Sequence, residues 1–461
     1  MRSHLQSVKS SKVGWGRSIS IGDRNEQMET IELATPRFFA RMMRSFRKLP
    51  TWMRVPLRIR RQSIVTYLVI ALLLLCYLPT TATAKLSTPK KLIEYGWDAP
   101  APNFYRQHLK EMEQQPFDGI ILKLNAGKEV FKKTAYPNAA FTQDRRDLAA
   151  TKSTRFTDNF VVMWSGMDDG WDWFDDNDWA TAAQNMQNFA KTAKIARFRG
   201  IAFDSEPYTT TSPWKYFQQP RQQQKTFAQY QKQVRKRGAQ FIRALQTQQP
   251  GTQVLTFGLL SWMKDLWATP TTATKLQQQL ANHDYGLWPA FINGMLDAAK
   301  PRTVIIDGHE WAYYFYKTEW FDAVRDTIFN QARLFVDANN TRKYDRNVKL
   351  GQAIYSDLVL DRFPSPEKDP RSGKTTQHFL SPADRLRLLE QNVYHSLRTA
   401  DRYAWLYSES ADWWQQKAPP GAAAAIIRAK TKLQTKQPLG FDLAPAVDKA
   451  IQQCQAVSKN C

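Results

Sequence analysis

Cysteine is scarce, three in 461 residues, so no disulfide framework defines this chain. Zinc chemistry lacks its usual spacings, because the six histidines form neither His-x-His nor His-Glu-x-x-His. No Gly-x-Ser-x-Gly elbow is present, which argues against a serine esterase, and no glycine-rich phosphate fingerprint points to a nucleotide or other cofactor. A base-reading motif and a basic-aromatic RNA signature are missing too, so nucleic acid is not an expected partner. Neither internal repeats nor a Pro/Gly linker divides the sequence, which favours one domain. What remains is a long chain, 43% hydrophobic and 13% aromatic, able to bury a large core.

The charge is +23, from 65 basic and 42 acidic residues, and it is uneven. Residues 1–62 hold 14 basic and 4 acidic residues, a basic leader. Residues 64–78 are uncharged and apolar, preceded by Arg58, Arg60 and Arg61 and followed by Pro79 and Thr80-Thr81-Ala82-Thr83-Ala84. That order is that of a secretory signal, and the run is shorter than the roughly 20 residues of a membrane span. We therefore expect residues 63–84 to act as a signal peptide cleaved after Ala84, giving a secreted or periplasmic protein. A start at Met53 would give this signal ordinary proportions and leave residues 1–52 untranslated. The alternative is a single-pass anchor, with membrane contact through residues 63–84 alone. In the mature chain Cys454 and Cys461 could close a small loop, with free thiols or an intermolecular pair as rivals. The protein is expected to be a monomer.

From Lys85 onward eight short apolar runs alternate with amphipathic stretches: residues 91–97, 119–124, 159–164, 200–203, 253–260, 303–306, 349–355 and 403–407. Between them, Phe227, Tyr230, Val234, Phe241, Ile242 and Leu245 recur mostly at three and four, the period of an amphipathic helix. This alternation predicts an α/β fold, a single (β/α)₈ TIM barrel with insertions over residues 85–415. A doubly wound sheet is the rival. Residues 363–372 read as a surface loop, and residues 418–425 as a break before the helix of a C-terminal tail, 416–461.

In such barrels chemistry gathers at the C-terminal strand ends. Here those ends are acidic and aromatic. The first is Tyr95-Gly96-Trp97-Asp98; the third runs through Trp164 to Asp168 and Asp169; the fourth is Phe203-Asp204-Ser205-Glu206-Pro207-Tyr208. In extended chain Asp204 and Glu206 point to one side, and like charges so close raise the pKa of one, as a general acid requires. Asp307, His309 and Glu310 follow the sixth run, Asp357 the seventh and Glu409 the eighth. Glycosidic cleavage needs such acids, one to protonate the leaving oxygen and another to attack or to activate water.

Ser205-Glu206-Pro207 resembles the Asn-Glu-Pro of the large retaining clan of TIM-barrel glycoside hydrolases, whose Glu is the acid/base. Taken as Gly200-x-x-x-Asp204-x-Glu206, the same segment is similar to the chitinase-type Asp-x-Asp-x-Glu motif, in which the preceding Asp orients an acetamido group. Both resemblances imply that Glu206 is the acid; they differ on its partner. Ser205 stands for the clan's Asn, Asp357 for its nucleophilic Glu, and Ala202 for the first chitinase Asp. The whole-chain likeness is to uncharacterised bacterial proteins of the glycoside-hydrolase superfamily, and covers residues 90–415. It implies carbohydrate as substrate and no cofactor, with Glu310, Asp357 or Glu409 as the second carboxylate.

Trp97, Trp164, Trp262, Trp311 and Trp405 lie at or near strand ends, where an indole face can stack on a sugar ring; Asp98, Tyr208 and His309 are further substrate-binding candidates. Trp171, Trp173 and Trp179, set among Asp168, Asp169, Asp172, Asp175, Asp176 and Asp178, read as a sugar-binding loop or an acidic calcium loop without EF-hand spacing. Two other functions remain open: a barrel that binds polysaccharide without cleaving it, and a metal-dependent hydrolase built on Asp98, Asp204 and His309.

Overall fold

The computed structural model describes residues 89–267, 272–362, 375–415 and 417–457. The expectations for the basic leader, residues 63–84, the loop 363–372 and Cys461 lie outside the described residues. Among the described residues no helix is long and apolar enough to cross a membrane.

All the strands are parallel: β1 (Lys91–Gly96), β2 (Gly119–Leu122), β3 (Glu129–Phe131), β4 (Phe160–Met167), β5 (Gly200–Asp204), β6 (Gln253–Thr256), β7 (Val304–Asp307), β8 (Val348–Leu350), β9 (Gln352–Tyr355) and β10 (Tyr403–Ser408). Their order is β8-β7-β6-β5-β4-β2-β1-β10-β9, with β3 beside the upper part of β4. β8 and β9 are one stave interrupted at Gly351, so the sheet returns on itself as a (β/α)₈ barrel. Gly351 donates its N–H to the Asp307 carbonyl at 2.7 Å, and a β-carbon there would stand 3.0 Å from that same oxygen. A side chain there would push the seventh stave away from the sixth by a few tenths of an ångström.

Two-residue alternation sorts the strands into an inside and an outside. Ile93, Tyr95, Ile121, Phe160, Val162, Ala202, Leu255, Ile306, Ala353, Tyr355, Tyr403 and Trp405 fill the lumen. Leu92, Ile120, Val161, Met163, Ile201, Phe203, Val254, Ile305, Ile354 and Leu406 face the helical shell and join the larger core. The shell helices begin where the sequence supplies caps. Asp175 accepts the N–H groups of Asn177 and Asp178 to start Asp176–Ile195, and Thr226 and Gln229 form a capping box at Phe227–Gln248. That second helix buries Tyr230, Val234, Phe241, Ile242 and Leu245, the stripe its spacing predicts.

Two expected boundaries are corrected. The fifth run ends as a strand at Thr256, because Leu260–Met263 turns into a 3₁₀ segment fixed by Asp307, which accepts the Ser261 hydroxyl at 2.6 Å and its N–H at 3.1 Å. The seventh run divides at Gly351. In the tail, a helix already begins at Ala422 and packs on Pro382–Thr399, with Glu390 bonded to Arg428 and Lys432.

Candidate active site

Strand register brings the first carboxylate to the mouth. Asp204 is the last residue of β5, opposite Trp164 on β4, and both point inward with Val162 and Ala202. It is 1% exposed. Its Oδ1 accepts the Glu206 N–H at 3.0 Å, and the Trp164 indole also donates to it. Beyond the strand end, the Tyr208 hydroxyl lies 3.1 Å from Asp204 Oδ2 and 2.8 Å from Glu206 Oε2, so one phenol spans both carboxyls. The Tyr208 ring itself remains open to solvent, 66% exposed.

The third carboxyl arrives from two staves along, with β6 between. Glu310 opens the turn Glu310–Tyr314 after β7, where its N–H donates to the Phe257 carbonyl at 3.1 Å, and its carboxyl is hydrogen-bonded to Trp262 and Tyr313. Burial pushes the Asp204 carboxyl well above the ordinary range, and the charge of Glu206 pushes it further. Burial raises Glu206 as well. Glu310 is held well above its usual value by burial first, then by the charges of Glu206 and Asp204. These three groups therefore sense one another. Among the described residues none of the ion pairs involves Asp204, Glu206 or Glu310.

Tyrosines line the space between the acids. Burial raises the phenols of Tyr95, Tyr285 and Tyr313, and the neighbouring carboxylates raise them further. Sequence reasoning passed over these three, although Tyr95 has the lumen parity of β1 and could have been found by counting inward positions. Tyr285 comes from the segment before Trp288–Ala298, and nothing local marks it.

The remaining candidates fall in other places. Asp357 is fully buried in the short helix Ser356–Val359 and accepts the N–H groups of Glu409, Ser410 and Ala411 at 2.6, 3.3 and 3.1 Å. It clips the loop after β10. Glu409 stands on that loop, where its Oε1 receives the Tyr407 hydroxyl at 3.4 Å, and its charge is felt by Asp357 and Tyr407. Asp98 accepts the Trp413 N–H at 2.9 Å and lies near the Glu94 carboxyl; burial, ahead of the charge of Asp412, moves it up to about 6. Glu94 has the outward parity of β1 and is wholly buried. Its carboxyl too is raised, by burial and then by Asp98.

His309 adopts a left-handed conformation, φ 48°, and its ring is buried beside Phe315. Burial and the charge of Lys264 lower it to about 3, so it is a neutral packed ring. Asp98, Asp204 and His309 do not converge, and among the described residues no cluster of His, Cys, Asp and Glu could hold a metal ion.

Trp97 and Trp311 are open indoles on the rim, 70% and 44% exposed, and Trp97 is hydrogen-bonded to the Tyr407 hydroxyl. Trp164 and Trp262 are partly buried in the mouth, Trp262 edge-on to Tyr285 at 4.8 Å. Trp405 is packed instead of open: its indole N–H donates to the Gly308 carbonyl at 2.9 Å and its ring lies 4.5 Å from Phe257. Trp171, Trp173 and Trp179 are likewise core, each at most 3% exposed. The acids around them are engaged structurally, Asp168 with Lys132, Asp172 with Arg221, Asp176 with Arg237, and Asp175 and Asp178 with backbone N–H groups. That segment is neither an open sugar loop nor an assembled calcium loop.

No family model matches the chain, and no curated protein does. Solved structures similar to it include PbGH5A, a glycoside hydrolase family 5 enzyme from Prevotella bryantii B14, at 12% identity and TM-score 0.36, over 72% of this chain and 88% of that one. The GH18 chitinase ChiB of Flavobacterium johnsoniae matches at 9% identity and TM-score 0.33, over 75% and 96% of the two chains. An endocellulase of Pyrococcus horikoshii matches at 10% identity and TM-score 0.38, over 75% and 92%. At these scores the likenesses add nothing to the barrel already drawn by the strand order.

Proposed function

We propose that this chain is a glycoside hydrolase in which Glu206 is the general acid/base, Glu310 the second carboxylate and Asp204 the group that orients and tunes Glu206. One observation carries the reading: three inward-facing carboxyls, raised by burial and by one another, share a mouth without a cation among the described residues. Paired carboxyls whose pKa values are driven upward supply a protonated acid near neutral pH beside an ionised partner. In the cleavage step the Glu206 proton passes to the departing glycosidic oxygen, which keeps the electron pair of the breaking C–O bond. Glu310 serves the sugar carbon, by direct attack or through a water whose proton it takes. Its coupling to Glu206 and Asp204 favours it over Asp357, which is spent on backbone groups, and over Glu409, which lies beside Tyr407.

Trp97 after β1 and Trp311 after β7 offer open indole faces at the rim, suited to a carbohydrate longer than one ring. The apolar run 64–78 with its basic flank supports action outside the cytoplasm, after cleavage following Ala84.

The full chain should be assayed on a panel of polysaccharides and aryl glycosides, beside Glu206→Gln and with chelator present. Turnover abolished by the substitution and untouched by chelator supports the reading. Retention of polysaccharide with no turnover on any substrate would replace it with a binding barrel, and loss in chelator with a metal hydrolase.

A further inference from the structure

We propose that Tyr208 is a positioning residue that assigns the proton of the acid pair to Glu206: its hydroxyl oxygen accepts the Glu206 carboxyl hydrogen while its own hydrogen goes to Asp204. This deepens the glycosidase reading and rests on it.

The argument is a count of hydrogens. A phenol carries one hydrogen and can give it to one acceptor at a time. The Tyr208 oxygen is nevertheless within hydrogen-bond distance of two carboxyl oxygens, 3.1 Å from Asp204 Oδ2 and 2.8 Å from Glu206 Oε2. Were both acids ionised, one contact would set lone pairs against a charged oxygen, which costs more than it returns. A second hydrogen must therefore sit on one of the carboxyls.

The other donors decide which. Asp204 receives the Glu206 N–H and the Trp164 indole in addition to Tyr208, the environment of a charged carboxylate. Glu206 has Tyr208 as its hydrogen-bond partner, at the shorter of the two distances. Burial raises both carboxyls, Asp204 the more, and the three donors on Asp204 oppose that rise where Glu206 has one; they place the negative charge on Asp204 and the hydrogen on Glu206. The other titratable groups facing the pair are Tyr95, Tyr285, Glu310, Tyr313 and Tyr407; none is a cation that would hold both acids ionised. When Glu206 gives its proton to the leaving oxygen, the Tyr208 hydrogen can swing from Asp204 to the new carboxylate. The phenol keeps its own hydrogen throughout.

The test is Tyr208→Phe in the full chain, which keeps the exposed ring and removes the relay. Protonation matters for a poor leaving group and little for a good one. We expect kcat to fall on the order of 100-fold on an unactivated oligosaccharide, yet less than about 3-fold on its 2,4-dinitrophenyl glycoside, with KM nearly unchanged on both. Equal losses on the two substrates, or a loss confined to KM, would overturn the proposal and leave Tyr208 as a packing or stacking residue. A second measurement needs no substrate. The infrared difference at pH 6 between the parent and Glu206→Gln should contain a carboxylic-acid C=O band that moves on ¹³C-glutamate labelling and weakens in the Tyr208→Phe background. A difference showing only ionised carboxylate would overturn the assignment even if hydrolysis proceeds. Failure of the parent protein to cleave any glycoside would sink the glycosidase reading instead, while the infrared band still decides where the proton resides.

Discussion

The barrel buries carboxylates at both of its ends and treats them in opposite ways. At the N-terminal end Asp158, fully buried, meets Arg402 at 2.8 Å, Arg199 at 2.9 Å, the Tyr403 hydroxyl at 2.7 Å and the Thr157 hydroxyl at 2.8 Å. These partners come from the residues just before β5 and at the start of β10, so one charge ties three staves together. Burial pushes Asp158 upward, but the bonds from Tyr403, Thr157 and Arg402 outweigh it and hold the carboxyl below its ordinary value. At the C-terminal end Asp204, Glu206 and Glu310 are given phenols, indoles and one another, and all three are raised. An acid meant to hold a sheet together is supplied with cations; acids meant to keep and release a proton are denied them.

The largest effect that would break this contrast is on turnover. Glu206→Gln should lower kcat/KM by roughly 10³-fold, within the span of general-acid contributions, without lowering the thermal midpoint, since it replaces a buried acid by a neutral isostere. A large fall in midpoint together with retained turnover would place Glu206 with Asp158, among groups that build the fold. Conversely, Asp158→Ala should cost about 3 kcal/mol in denaturant unfolding, the low end of the range for breaking a buried pair because Arg199 and Arg402 reach solvent. Turnover per folded molecule should remain that of the parent, and a specific loss of activity would contradict the division of labour.

The two ends also predict opposite pH responses. A carboxyl raised in the folded state contributes in full below its unfolded value, about 4, and its contribution is lost as pH rises through the folded value. Asp158, lowered in the folded state, contributes above about 4 and loses that contribution as pH falls through its folded value. The thermal midpoint should therefore decline on the alkaline side because of the mouth and on the acid side because of the floor. Glu206→Gln should flatten the alkaline decline and leave the acid limb alone; Asp158→Ala should do the reverse. Midpoints measured across pH 3 to 9 for the three proteins settle the matter. An alkaline limb unchanged in Glu206→Gln would mean that Glu206 is not raised.

The contrast also explains what could be seen in the sequence. Buried parallel strands must be continuous apolar runs, so all eight staves were visible, and Asp204 and Glu206 followed from two-residue alternation at the end of one of them. Strand ends were less legible. Residues 257–260 are as apolar as a strand, and only the Asp307 bonds to Ser261 show that the chain has already turned. Asp357 looked like a rim acid because Tyr355 ends its strand, yet its hydrogen-bond donors are backbone N–H groups more than fifty residues later. His309 sits beside Glu310 in sequence, yet its ring is buried beside Phe315. The phenols of Tyr285 and Tyr313 reach the acids through tertiary folding, which no local pattern encodes.

The smallest predicted effect sharpens the contrast at the edge of the mouth. Trp97 is the most open of the rim indoles, and it is steadied by the Tyr407 hydroxyl, whose own contact is with Glu409. An exposed ring fixed in this way gains little from the fold and is free to meet a sugar face. Trp97→Ala should raise KM for a polymeric substrate about 5-fold, in keeping with roughly 1 kcal/mol for an aromatic contact, and leave kcat and the thermal midpoint unchanged. Trp405, packed on Phe257 and bonded to Gly308, is the opposite case: its alanine variant should lower the midpoint before it changes KM. If the two variants behaved alike, openness at the mouth would not separate a binding ring from a packing one, and the rim would have to be assigned to the fold.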